Sequence, residues 1–151
     1  MPLFERVLIA NRGEIAVRVI RACQSLGIGT VAAVSDADRN SMAARIADRT
    51  VCIGPAKATQ SYLKPEALVM AALGTGCRAV HPGYGFLSER SSFSRMCREA
   101  GLTFIGPSPE AIDAMGNKIT AVRIAQQAGV PRVPGSDRLE SADHALRIAR
   151  E

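Results

Sequence analysis

The sequence predicts an open α/β domain, doubly wound around a mostly parallel sheet of about five strands with flanking helices. Three observations carry this reading. Short apolar runs alternate with segments of helical period along the first hundred or so residues, the order that builds βαβ units. The runs are continuous in their apolar character, as strands buried on both faces require. The connectors between them are short, which favours parallel neighbours joined by right-handed crossovers.

Residues 6–11 (RVLIAN) form the first strand, an apolar run that ends at a polar turn. From 14 to 26, Ile15, Val19, Ala22 and Leu26 recur at helical spacing while Arg18, Arg21 and Gln24 fall elsewhere, and Gly27 closes the helix. Residues 30–35 (TVAAVS) make the second strand, with Ser35, Asp36, Ala37 and Asp38 as the loop at its carboxyl end. A short helix over 41–47 leads to a strand over 50–53 and a Gly54-Pro55 break. Pro65 suits the first turn of a helix over 65–73. A strand at 79–80, a helix over 91–100 and a strand over 103–105 complete the sheet.

After Gly106 the character changes. Ser108 as N-cap and Pro109 in the first turn start a helix that runs to Met115. Gly116, Asn117 and Lys118 interrupt it, and helical period resumes over 119–128 up to Gly129. Residues 130–136 (VPRVPGS) carry two prolines and a glycine and read as a connector, and Ser141 begins one more helix. The organisation is therefore a domain over 1–130, then a connector and the start of a helix over 131–151.

At 151 residues, with 47% apolar and 22% charged residues, the chain reads as one soluble domain with a full core. No apolar run is long enough to span a bilayer, and the N-terminus lacks the pattern of a secretory signal, so the expected location is the cytoplasm. Cys23, Cys52, Cys77 and Cys97 form no CxxC pair and lie in or beside apolar segments, which reads as reduced core thiols. The net charge of +5 comes from scattered arginines with only two tyrosines and four phenylalanines, so no nucleic-acid partner is expected.

The stretch of densest chemistry is HPGYGFLSE, residues 81–89, where a strand hands over to a helix. In open α/β sheets that carboxyl edge is where ligands bind. Pro82, Gly83 and Gly85 give a bent loop of little bulk that a ligand or neighbouring domain can approach closely. His81, Tyr84, Ser88 and Glu89 supply four different polar groups; as a plain turn, Ser88 would be the N-cap and Glu89 would favour the helix dipole. The first βα loop invites comparison with G-x-G-x-x-G/A, and Asp36 follows the second strand at a suitable distance. Asn11-Arg12-Gly13-Glu14-Ile15-Ala16 lacks the first glycine, however, and Glu14 would place a carboxylate where a pyrophosphate needs bare N–H groups. Lys118, one of three lysines, sits beside a glycine at a helix break, where an ammonium could contact a nucleotide. His81 and His144 are too far apart to suggest a metal pair, and no nucleophile-elbow pattern occurs.

Four stretches, IANRGEIAVRVIRA (9–22), ADRTVCIG (47–54), HPGYGFLSE (81–89) and FIGPSPEAIDAMGNK (104–118), together resemble the N-terminal, pre-ATP-grasp domain of biotin carboxylase. This is the ATP-grasp component of acetyl-CoA, propionyl-CoA, methylcrotonyl-CoA and pyruvate carboxylases; VPGS (133–136) continues the likeness, which covers essentially the whole chain in order. The resemblance implies a ligase, in which ATP activates bicarbonate as carboxyphosphate and the carboxyl group passes to N1′ of biotin on a carrier protein, with Mg2+ holding the phosphates. In acetyl-CoA carboxylase this serves fatty acid biosynthesis. By the same resemblance, Lys118 matches a nucleotide-contacting lysine in MG(D/N)K, with Asn117 in place of the common aspartate. Tyr84 and Gly85 match the loop that borders the biotin pocket, and Glu89 closes that motif.

The implied partners are a biotin carboxyl carrier protein or domain, a carboxyltransferase component, an ATP-grasp domain not contained in these residues, and a second copy where the family dimerises. No catalytic residue, metal ligand or tightly bound cofactor is expected within the chain, and alone it is expected to be inactive. Two other readings compete. One is a stand-alone truncated paralogue acting as an interaction module; the other is an NAD-binding Rossmann domain, which Asn11 and Glu14 argue against.

Overall fold

A computed structural model describes residues 4–131 and 141–150 of the chain. Two compact units are present, residues 1–112 and 113–151. The first contains five strands, β1 (Arg6–Ile9), β2 (Gly29–Val34), β3 (Arg49–Cys52), β4 (Ala79–His81) and β5 (Thr103–Phe104). They form one sheet in the order β3-β2-β1-β4-β5, and every pairing is parallel. The helices α1 (Gly13–Ser25), α2 (Met42–Ile46), α3 (Pro65–Gly74) and α4 (Ser91–Glu99) connect consecutive strands. The expected doubly wound sheet is therefore the observed one.

The strand sequences explain the two-layered core. Side chains alternate between faces along a strand. Val7 and Ile9 pack with Ala32 and Val34 against Ala16, Val19 and Ile20 of α1 and Ala43 of α2. Leu8, Val31, Ala33 and Val80 point the other way and pack against Leu68, Val69 and Ala72 of α3 and Phe93 and Cys97 of α4. Burial on both faces is what makes the strands continuously apolar. On the α4 side, Phe93 meets Phe104 edge-on at 5.8 Å between ring centroids.

Local chemistry sets the helix ends. Gly27 takes φ +67° and donates its N–H to Gln24 O, closing α1. Ser41 caps α2 by accepting from Ala44 N–H, and Ser108 does the same for Ala111 N–H ahead of α5 (Pro109–Gly116). In the second unit, Asn117 caps α6 (Lys118–Gln127) by accepting from the N–H groups of Ile119 and Thr120. Ser141 caps α7 (Ala142–Ile148) through His144 N–H.

Two expectations are corrected. Ser88 is not the cap of α4: Arg90 holds that position without a side-chain bond, because two successive turns, Ser88 N–H to Gly85 O and Arg90 N–H to Leu87 O, intervene before the helix begins. Cys23, Cys77 and Cys97 are buried free thiols, but Cys52 is exposed at the outer strand β3, with its Sγ 3.4 Å from the Asp36 carboxylate. An edge strand has only one covered flank, so its apolar sequence does not guarantee burial.

Candidate functional site

Strands β1 and β4 are neighbours although three helices separate them in sequence. The chain builds outward through β2 and β3, then returns to the other side of β1 for β4. That reversal opens a crevice at the carboxyl ends of β1 and β4, the usual ligand position in such sheets. The register pairs Ile9 with His81, and Ala10 N–H donates to His81 O at 2.9 Å. The residues just past each strand therefore face the other loop: Asn11, two beyond β1, on one side, Pro82 and its successors on the other.

Asn11 is 3% exposed, and its side chain spends its polar atoms on this junction. Its Nδ2 donates to Pro82 O at 2.7 Å and to Tyr84 O at 2.9 Å, while Oδ1 accepts from Arg12 N–H at 2.9 Å. Gly83, at φ +66°, passes so close that a Cβ there would lie 2.7 Å from Asn11 Nδ2 and 2.7 Å from the Ile15 methyl. Only glycine meets both the backbone angle and the contact. His81 Nδ1 accepts from Gly83 N–H at 3.0 Å, which requires the neutral ring with its proton on Nε2. Burial pushes the His81 pKa below its ordinary value, in the same direction.

The far half of the loop is held by its side chains. Phe86 sits at φ +45°, a backbone region that residues with a Cβ enter rarely. Its ring stacks on Tyr62 with centroids 5.3 Å apart and planes 19° apart. Leu87 is buried beneath. Between these anchors Tyr84 is 68% exposed, and Gly85 is exposed beside it. Glu89 is also exposed, two residues before α4. Among the described residues, no acceptor pairs with the Gly85 and Phe86 amides.

Tyr62 carries a second polar group that the sequence did not disclose. Its hydroxyl accepts from Ser35 N–H at 3.0 Å and donates to Asp38 Oδ2 at 2.8 Å. Ser35 Oγ donates to the same oxygen at 2.8 Å, and Arg12 reaches Asp38 Oδ1 at 3.2 Å. Desolvation pushes the Tyr62 pKa up to about 12, so the phenol stays protonated and works as a structural donor. The group ties the ends of β1 and β2 to the ring beneath Phe86.

Tyr84, Gly85 and Glu89 thus share one loop, whereas Lys118 lies on the second unit as the first residue of α6, and its side chain lies outside the described residues. The VPGS stretch at 133–136 is also outside them. Asp36, the residue a dinucleotide reading would assign to a ribose, is engaged by Arg39 at 2.8 Å, which holds its carboxyl below the usual range. Among the described residues, no group of three or more His, Cys, Asp or Glu side chains could hold a metal ion. Beside α1, an apolar groove of about 580 Å3 lined by Phe4, Val7, Ile15, Val19 and Ile105 runs to Gly83 and Tyr84. No helix among the described residues is long and apolar enough to cross a membrane.

Residues 3–112 match the family model described as biotin carboxylase, N-terminal domain. The chain belongs to this family. As a biotin carboxylase N-terminal domain it is 54% identical over 151 residues to the biotin carboxylase of Pseudomonas aeruginosa, covering 99% of this chain and 34% of that protein. It is 51% identical over 149 residues to the mitochondrial propionyl-CoA carboxylase alpha chain of Rattus norvegicus, covering 98% of this chain and 20% of the relative. The biotin carboxylase domain of 2-oxoglutarate carboxylase from Hydrogenobacter thermophilus, solved as a dimer with MgADP, ADP and bicarbonate, superposes with a TM-score of 0.88 at 47% identity. That match covers 97% of this chain and 32% of the solved one. The domain therefore corresponds to the N-terminal portion of biotin carboxylases and spans about a third or less of their length.

Proposed function

We propose that this chain forms one wall of a biotin carboxylase active site. The reaction is ATP-dependent carboxylation of carrier-bound biotin by bicarbonate, with a carboxyltransferase component receiving the product in the cytoplasm. In this reading residues 1–130 are the N-terminal domain, and 131–151 lead into an ATP-grasp domain. The observation that supports it most is the 81–89 loop, fixed at the crevice between β1 and β4 while it presents Tyr84 and Gly85 to solvent. These two residues border the biotin, Glu89 closes the same edge, and Lys118 contacts the nucleotide.

MgATP supplies the activation of bicarbonate. The chain's own residues shape and exclude: Tyr84 covers one side of the acceptor, and the uncrowded backbone at Gly85 allows close approach. Phosphoryl transfer depends on several charges converging on one group in a closed site. One lysine on one wall cannot supply them, so the 151 residues alone neither carboxylate biotin nor hydrolyse ATP. The experiment compares bicarbonate-dependent ADP release by the isolated chain and by the full-length carboxylase. Turnover by the full-length protein and none by the chain is expected; comparable turnover by the chain alone would refute the one-wall reading. The apolar groove beside α1 favours a second reading, an interaction module that docks on carboxylase subunits. It predicts saturable binding of the chain to an intact carboxylase.

A further inference from the structure

We infer that Asn11 is a positioning residue for carboxylation: its side-chain amide clamps the 82–84 backbone and thereby sets where Tyr84 and Gly85 meet biotin. This rests on the functional reading above, which puts that loop at the acceptor. The geometry is specific. One buried NH2 group donates to two carbonyls of the same loop, Pro82 O and Tyr84 O, and the acceptor of the same amide is fixed by Arg12 N–H. The amide cannot turn over without facing its carbonyl oxygen to two others. From the loop side, Gly83 passes so close that a Cβ there would lie 2.7 Å from the same nitrogen. Of the other ties, the bond from Gly83 N–H to His81 Nδ1 closes a turn within the same stretch of chain and does not reach β1, and Tyr62 under Phe86 lies beyond Gly85. Loss of the Asn11 donor therefore frees the segment that carries Tyr84, while the nucleotide-contacting Lys118 sits on the other unit.

Asn11→Asp tests this with almost no change in shape, because it keeps an acceptor for Arg12 N–H and turns the donor into an oxygen facing two carbonyls. Gly83→Ala disturbs the same contact from the other side and serves where Asn11→Asp does not accumulate as folded protein. Thr30→Val is the control for simple destabilisation: it removes the Thr30 hydroxyl bond to Asp48 at the opposite, amino-terminal end of β2. The assay is the full-length carboxylase with free biotin as acceptor, alongside amide hydrogen exchange at residues 83 and 88, loop amides that donate hydrogen bonds. Asn11→Asp and Gly83→Ala are expected to raise KM for biotin at least tenfold, leave KM for ATP within twofold, and speed exchange of the loop amides at least tenfold. Thr30→Val should do none of these. A biotin KM within twofold of wild type, or biotin and ATP KM rising together, would overturn the inference, whether or not exchange changes. A wild-type enzyme without biotin-dependent turnover would instead overturn the functional reading.

Discussion

His81 shows how far a single residue reports on this site. It is the last residue of β4, and its Nδ1 receives the Gly83 amide, so protonation would both charge a half-buried ring and break the bond that starts the loop. Its folded pKa lies below the ordinary value because of burial, so the unfolded chain binds the proton more readily. Stability from this residue is complete above the unfolded histidine value and is lost as pH falls through the folded one. Urea unfolding at pH 7.5 and 5.5 should show a loss of stability that shrinks in His81→Gln. An equal loss in both proteins would mean that His81 is not the group responsible. The loop itself was legible in the sequence, since the glycines and the exposed tyrosine stand side by side. Asn11 and Tyr62 were not, because their partners lie 71 and 27 positions away and only the register of β1 against β4 and the end of β2 brings them together.

At the scale of elements, helix α4 offers the sharpest test of packing. Phe93 is fully buried, sits edge-on to Phe104, and belongs to the cluster that joins α3 and α4 to the sheet. Phe93→Ala is expected to cost about 3–5 kcal/mol, the usual price of a large cavity in a tight core, measured by chemical denaturation. A loss below about 1 kcal/mol would mean that the site collapses freely or that the side chain is not packed as described. Alternation of strand and helix, and the caps at Ser41, Ser108 and Ser141, could be read from local pattern because each depends on neighbours within a few residues. The start of α4 could not. Ser88 offers a plausible cap, but the buried Leu87 and the stacked Phe86, which are tertiary contacts, hold the turns that leave Arg90 in that position instead.

For the whole molecule, the five-stranded parallel sheet, the family match over residues 3–112 and the crevice between β1 and β4 converge on a biotin carboxylase N-terminal domain. The resemblance could be recognised from four motifs in order, whereas the groove beside α1 could not, since it is formed by residues from the chain start, α1 and the end of β5. In the proposed function these 151 residues are one exchangeable wall of a larger active site. The most direct measurement replaces the matching N-terminal third of the Pseudomonas aeruginosa biotin carboxylase, 54% identical, with this chain and follows bicarbonate-dependent carboxylation of free biotin. The account predicts a folded chimera that carboxylates biotin at a rate within about tenfold of the parent, a loss of no more than 1.4 kcal/mol in barrier height. A folded chimera that binds MgATP but carboxylates no biotin would contradict it.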